Sequence, residues 1–375
     1  MKLKQHPEDF RVEEISTVQI TKEPAEYKIY LLEKKNAETF ALISYLSAKN
    51  RIPAHEFGIA GLKDKHALTR QYFSIPSKYR LNTSEEKNFR ISFAGYSKNR
   101  IKLGDLKGNR FEITARGIKK GEIDGIKQKA ESLPKIGAPN YYDSQRFGSA
   151  SNGEFIIKHA MKKNYERAVK IYLTDGTKSE GRAAKQDKKN ILENWGAIEK
   201  VQAKTKRLAR VIEEYKKTRS WQSAYRRIPS RMRELYVSAY QSYLWNECLK
   251  EILRKNAPAK TTYSIEYKMG ALIFYKKQCM LPEILNTISD EINSPPEEKI
   301  IVERILAREG ITLDDFRIKN ATGNFFKTHE RKTKLVPEDF KITIEDEKNS
   351  YKARISFSLP KGSYATIITK RLFNK

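Results

Sequence analysis

The sequence predicts an α+β protein in which strand-rich ends flank a helix-rich middle. Three observations carry that prediction. Alternating apolar and polar runs lie near both termini, as in Lys352-Ala-Arg-Ile-Ser-Phe-Ser-Leu359, where Ala353, Ile355, Phe357 and Leu359 share one face. From about residue 156 the texture changes to helical, lysine-rich stretches, and strand-type sequence closes the chain. The length of 375 residues suits two domains, or one large domain with an insertion.

The elements follow in order. Residues 7–14 and 27–32 read as strands, with Pro7 at the start or edge of the first. Residues 37–50 read as a helix, with Asn36 as N-cap and Phe40, Ile43, Leu46 and Ala48 on its apolar face. Phe57-Gly-Ile-Ala-Gly-Leu62 reads as a buried strand or turn, in which Gly61 permits positive φ or close backbone approach. Residues 71–75 form a second short strand, and residues 76–90 a polar loop. Residues 100–116 give two strand-like runs around Gly104 and Gly108. Alternation sets Arg100, Lys102, Lys107 and Arg110 opposite Ile101 and Leu103. That basic face is either solvated or a track for backbone phosphates. Residues 122–133 and 156–172 read as helices. Residues 201–233 carry 11 Lys and Arg against Glu213 and Glu214, with Trp221 and Tyr225 interleaved. Pro229 and Ser230 start a long helix over about 231–255. Leu235, Ala239, Tyr243, Cys248, Leu249 and Ile252 form its packing stripe. Ser294-Pro-Pro-Glu-Glu298 breaks the chain before a helix over 299–309.

Composition narrows the function. Apolar residues at 39% allow a core, and charged residues at 32% imply a heavily charged surface. A net charge of +28 is best matched by a polyanionic partner, nucleic acid first. A generally lysine-rich surface is the competing explanation. Cys248 and Cys279 make no Cys-x-x-Cys pair, which argues against a disulfide framework or a cysteine zinc site. The histidines (His6, His55, His66, His159 and His329) are scattered, so no metal is expected. No signal-like segment and no apolar run of bilayer length is present, so a cytoplasmic protein without membrane contact is expected.

Two stretches hold candidate chemistry. Between residues 57–62 and 71–75 sits one carboxylate, Asp64, flanked by Lys63 and Lys65. Nearby positive charge favours its ionised form, the state that a nucleophile or general base needs. Most aspartates in such segments are turn formers or surface ion pairs, so residue type alone gives Asp64 little weight. Residues 137–148 are dense in aromatics and amides, which suit a base pocket: rings stack and amides read base edges. A tyrosine-rich loop packed on its own core is the commoner outcome.

Gly61-Leu-Lys-Asp-Lys-His-Ala-Leu-Thr-Arg70 resembles the signature segment of the TruD family of tRNA pseudouridine synthases. Three further segments resemble that family in the same order: Pro7-Glu-Asp-Phe10, Pro139-Asn-Tyr-Tyr-Asp-Ser-Gln-Arg-Phe-Gly148 and Leu359-Pro-Lys-Gly-Ser-Tyr-Ala-Thr366. Leu103-Gly-Asp-Leu-Lys-Gly-Asn109 and Ser238-Ala-Tyr-Gln-Ser-Tyr-Leu-Trp-Asn246 are similar more weakly. The resemblance implies that Asp64 is the catalytic nucleophile and that Lys4 is the basic residue near it. It implies that Phe10 contacts the substrate base or ribose, and that Asn140 hydrogen-bonds near the aspartate or the substrate. Tyr142 and Tyr364 would stand against the target base. Tyr142 replaces a Phe of the best-known members and keeps a stacking face. Asp143 stands where Gly is common, and Lys370-Arg371 where Arg then Glu is frequent.

The same resemblance implies a pseudouridine-synthase-like, mixed, mostly antiparallel sheet flanked by helices. That catalytic core would comprise residues 1–155 and 338–375, interrupted by an α-rich inserted domain over 156–337. The implied reaction isomerises uridine, at position 13 of tRNA, to pseudouridine. The N-glycosidic bond breaks, the uracil turns, and the ring rejoins through C5. Without net redox or group transfer, no cofactor is expected. The base must leave its stack, and Phe10, Tyr142 and Tyr364 are the candidates to replace that stacking. The expected partner is tRNA, bound by a monomer. His66 adjoins Asp64 but has no placed partner and reads as structural. The alternative is an RNA-binding or tRNA-folding protein that uses the same basic cleft without chemistry; a DNA-binding protein comes third.

Overall fold

A computed structural model describes residues 1–374 except 82–84, 151–152, 177–179, 292–294, 321–322 and 325, so Ser294 of the expected chain break lies outside the described residues. The chain forms two compact units, Met1–Ala138 with Leu335–Lys375, and Pro139–Lys334. The division between the two units falls at 138/139 and 334/335. Residues just after 138 turn to the second unit because their polar groups bond there: Asn140 N–H to the Thr333 carbonyl, and Tyr142 N–H to Asn246.

The first unit is built on one sheet of ten strands among the described residues. They are β1 (Lys2–Leu3), β2 (Phe10–Ser16), β3 (Tyr27–Lys35), β4 (Gly58–Ile59), β5 (Leu68–Pro76), β6 (Glu85–Glu86), β7 (Phe89–Ser97), β8 (Leu106–Ile118), β9 (Glu338–Glu347) and β10 (Ser350–Pro360). Their order is β9-β10-β8-β2-β5-β3-β7-β6, with β1 on β8 and β4 on β5. β2 and β5 run parallel; the other pairs are antiparallel, so the sheet is mixed and mostly antiparallel, as expected. A parallel pair needs a long crossover, and residues 17–67 supply it, carrying β3, the helix Thr39–Asn50 and β4.

Side-chain alternation sets what each part of the sheet covers. Tyr30 and Leu32 of β3 and Phe73 of β5 share a core with Leu42, Ile43 and Leu46 of the helix Thr39–Asn50. Across β2, β8 and β10, Phe10 pairs with Ile113 and Val12 with Phe111, while Ile113 pairs with Ile355 and Phe111 with Phe357. Helix Ile123–Ile136 buries Ile126, Ala130 and Leu133, and helix Ala365–Phe373 buries Ile367, Ile368 and Leu372.

Several expectations need correction. Helix Thr39–Asn50 starts after Glu38, and Asn36 is not its cap, because its φ of 51° puts it in a left-handed turn. Phe40 and Ala48 are exposed on that helix. Residues 100–105 form a turn, not a strand. The Asp105 carboxylate accepts from Lys102 N–H (2.7 Å) and Gly104 has φ 95°, which breaks the alternation and leaves Leu103 exposed. Close backbone approach occurs at Gly58 rather than Gly61: a Cβ at Gly58 would lie 2.4 Å from the Ile101 carbonyl oxygen, whereas at Gly61 the nearest atom is the Lys63 Nζ at 3.8 Å. Pro7–Asp9 is a single 3₁₀ turn, and the strand begins at Phe10.

The second unit is the α-rich insertion. Its helices are Ile156–Met161, Tyr165–Thr174, Arg182–Glu193, Lys206–Thr218, Trp221–Arg226, Ser230–Asn256 and Pro296–Glu309, with a hairpin of Thr262–Tyr267 and Gly270–Tyr275. Ser230–Asn256 is more than a one-sided stripe. From Tyr236 to Leu253 it is buried nearly all round, Gln241, Ser242, Asn246, Glu247 and Lys250 included, while Leu235 is exposed. A helix buried on every side is the centre of its unit. Its polar members are bonded: Gln241 donates to the Ile288 carbonyl at 2.7 Å, and Glu247 pairs with Arg308 at 2.6 Å.

Candidate active site

Residues 60–67 join β4 to β5, and the ends of neighbouring strands hold their main chain. Lys34, near the end of β3, donates from Nζ to the carbonyls of Ala37 (2.9 Å), Asp64 (2.9 Å) and Lys63 (3.4 Å). It is 1% exposed. That burial lowers its pKa to about 8; the charges of Asp64 and Glu38 oppose the shift and that of Lys63 adds to it. Lys63 itself turns inward to the Glu14 carboxylate at 2.7 Å, both side chains buried. Gln71 donates to the Gly61 carbonyl (3.0 Å) and accepts from the Thr39 hydroxyl (3.3 Å). The Ala60 carbonyl accepts from Gly104 N–H at 2.8 Å, and the Ala67 carbonyl from Asn36 N–H at 3.4 Å.

The carboxylate that this loop carries is not buried. The Asp64 side chain is 23% exposed and its Oδ2 lies 3.2 Å from Lys4 Nζ, a side chain 33% exposed. The same ammonium sits 3.8 Å above the centroid of the Phe10 ring. Phe10 is 3% exposed and meets Phe111 edge-on with centroids 6.2 Å apart. Lys4 follows β1, which pairs with β8 through Lys2 and Leu3, and its φ of 56° turns the chain there. Asp64, Lys4 and Phe10 therefore come together from three separate stretches. One side chain supplies a carboxylate, one a cation and one a ring face.

The other expected residues are placed as follows. Tyr364 is half-buried at the N-cap position of helix Ala365–Phe373. Its segment is tied towards the loop, since Lys361 Nζ donates to the Gly104 carbonyl (3.0 Å) and Gly104 N–H to Ala60. Asn140 and Tyr142 belong to the second unit. Asn140 is buried and its side chain is engaged there: Nδ2 donates to the Lys332 carbonyl (2.9 Å) and Oδ1 accepts from Arg331 (2.9 Å). Arg331 also donates to the Asn140 carbonyl from Nε (2.9 Å) and Nη2 (2.7 Å), and its guanidinium lies 3.9 Å from the Tyr142 ring centroid. Asn246, 0% exposed, holds the Tyr142 main chain from both sides, accepting from its N–H (2.9 Å) and donating to its carbonyl (2.8 Å). Asp143 fits the loop as a cap, accepting Ser144 N–H at 2.7 Å ahead of the 3₁₀ turn Ser144–Phe147. His66 is exposed.

Lys34 and Arg331 were not among the residues singled out from the sequence. A signal existed for Lys34, which continues the inward alternation of Tyr30 and Leu32 and so places a cation in the core. Arg331 sits between Glu330 and Lys332, where no pattern distinguishes it. Among the described residues, no group of three or more His, Cys, Asp or Glu is arranged to hold a metal ion, and no helix is long and apolar enough to cross a membrane.

Comparison with known proteins gives a consistent result. The family model for tRNA pseudouridine synthase D (TruD) matches residues 1–269 and 273–372. The chain is 44% identical over 392 residues to the "Probable tRNA pseudouridine synthase D 2" of Methanocaldococcus jannaschii, covering 100% of this chain and 92% of that one. It is 32% identical to the tRNA pseudouridine synthase D of Aquifex aeolicus, covering 100% and 98%. The crystal structure of a tRNA pseudouridine synthase D (TruD) candidate from Methanosarcina mazei has a TM-score of 0.70 at 23% identity, covering 100% of this chain and 93% of that one, which is a likeness of fold.

Proposed function

The chain belongs to the tRNA pseudouridine synthase D (TruD) family, and from that premise we propose that it isomerises uridine to pseudouridine at position 13 of tRNA, with Asp64 as the nucleophile. One observation carries the assignment of Asp64. Its carbonyl is held by the buried Lys34 ammonium, while its carboxylate stays partly open beside the Lys4 ammonium, which also covers the Phe10 ring. That is how a reactive group is held in place without being used up by its own support.

In this reading Asp64 acts covalently, at the ribose or at the base. The bond from C1′ to N1 breaks, the uracil turns, and C1′ bonds to C5. The C5 proton leaves to solvent and N1 ends with a proton, so the product is an isomer of the substrate. Lys4 covers the free face of Phe10, so a base seated on that ring takes the place of the ammonium. Tyr364 offers a further stacking face in the first unit and Tyr142 one in the second. Asn140, occupied by Arg331 and Lys332, orders the Tyr142 loop from within its own unit. A net charge of +28 draws the tRNA backbone to the protein, with an affinity that falls as salt rises. A cytoplasmic location is the reading that accompanies a tRNA substrate.

The test is Asp64→Asn with tRNA labelled with tritium at uridine C5. Binding should persist at matched salt while label release stops. Survival of release in the variant would remove Asp64 from the chemistry. Tight binding by the wild-type protein without release would favour the RNA-binding reading instead.

A further inference from the structure

Lys34 places a cation where the alternation of its strand calls for an apolar side chain. Tyr30 and Leu32 precede it on the same face and belong to the core. Burying an ammonium is costly unless its hydrogen bonds are made. Here they go to the carbonyls of Ala37, Lys63 and Asp64. We propose that Lys34 is a positioning residue of the reaction: its ammonium binds the main chain on and beside Asp64 and so fixes where that carboxylate stands. The proposal rests on the reading of Asp64 as the nucleophile. Lys4 and Lys34 then act on opposite ends of one residue, the first on its carboxylate and the second on its carbonyl.

The donor count makes the proposal specific. An ammonium has three N–H donors and no acceptor, and three carbonyls take them. Loss of the proton leaves two donors and a lone pair, so one carbonyl loses its bond and faces repulsion. Burial brings the Lys34 pKa down to about 8, with Lys63 adding to the shift and Asp64 and Glu38 opposing it. The proton is therefore lost in mildly alkaline solution. A nucleophile displaced by about 1 Å can lose roughly 10²-fold in rate.

Stability moves the other way. Below pH about 8 the buried charge is fully present and its desolvation opposes folding. As pH rises from about 8 towards the ordinary 10.5, the unfolded chain keeps a proton that the folded chain has released. In that window Lys34 contributes progressively more to stability. Deprotonation of Lys34 in that window therefore does not itself favour unfolding.

The experiment compares wild type, Lys34→Met, Lys34→Arg and Asp64→Asn. It reads single-turnover tritium release at saturating protein, tRNA Kd at fixed salt, and far-UV circular dichroism. Lys34→Met should slow release by roughly 30-fold or more with Kd changed by less than about threefold, a loss confined to the chemical step. Lys34→Arg, which keeps a charge, should recover part of the rate. Wild-type release should fall between pH 7.5 and pH 9, on either side of about 8, at constant Kd, and Lys34→Arg should lack that fall. A folded Lys34→Met within about threefold of wild type, or a loss seen only in Kd, overturns the proposal. Should Lys34→Met fail to fold, the wild-type profile decides, and a rate flat through about pH 9 overturns it. Asp64→Asn keeps the two readings apart. Activity surviving there removes the nucleophile, whereas an inactive Asp64→Asn beside a fully active Lys34→Met removes only Lys34.

Discussion

Two motif segments of this protein are immobilised by similar means and left in different states. In residues 60–67, side chains from neighbouring strands bond the loop's carbonyls, and the Asp64 carboxylate remains partly open. In residues 139–148, Asn246 and Arg331 also bond the main chain, but Arg331 and Lys332 engage the Asn140 side chain as well. The first arrangement presents a carboxylate. The second orders a loop and leaves the Tyr142 ring, covered by a guanidinium, as the surface on offer. A polar residue in a motif can thus be either the group displayed or part of the frame that displays it, and burial of the side-chain atoms tells the two apart.

Four variants bear on this contrast, the largest effect first. Asp64→Glu keeps the charge but moves the carboxylate out along a fixed main chain. Tritium release should drop by about 10²-fold or more, because displacement of the order of 1 Å carries that loss. A near-normal rate would mean that the loop does not set the geometry. Lys63→Met leaves Glu14 charged, buried and without its cation, at a site where the other Glu14 oxygen already has no hydrogen-bond partner among the described residues. Urea unfolding should show about 3–5 kcal/mol lost, and Lys63→Met with Glu14→Leu should regain most of it. Asn246→Ala removes both bonds to the Tyr142 main chain at a fully buried position. Its cost should be about 2–4 kcal/mol, read in the same assay. Lys4→Ala, at a half-exposed pair, should change stability by less than about 1 kcal/mol while slowing release. A larger stability loss would move Lys4 from the presented set to the supporting frame.

Much of the fold could be read because periodicity reports burial. The strands near residues 10, 30, 72 and 355 were legible from their runs of strand-type sequence, and the helix-rich middle from its change of texture. Residues 100–105 misled because Ile101 and Leu103 mimic alternation inside a turn that the Asp105 carboxylate and Gly104 create. Ser230–Asn256 was read too narrowly, since a helix buried all round carries bonded polar residues that blur its stripe. At the candidate site, the grouping of Asp64, Lys4 and Phe10 follows the expectation that family likeness gave. Lys34 was marked only by the alternation of its strand and Arg331 by nothing, because their main-chain partners are carbonyl oxygens, which every residue has and no side-chain pattern marks.

The central claim is that the Asp64 carboxylate remakes the sugar–base bond of a tRNA uridine. Mapping pseudouridines in tRNA treated with wild-type protein or with Asp64→Asn tests it most directly. A new pseudouridine at position 13 with the wild type alone is the outcome this account predicts. The same modification formed by both proteins would contradict it.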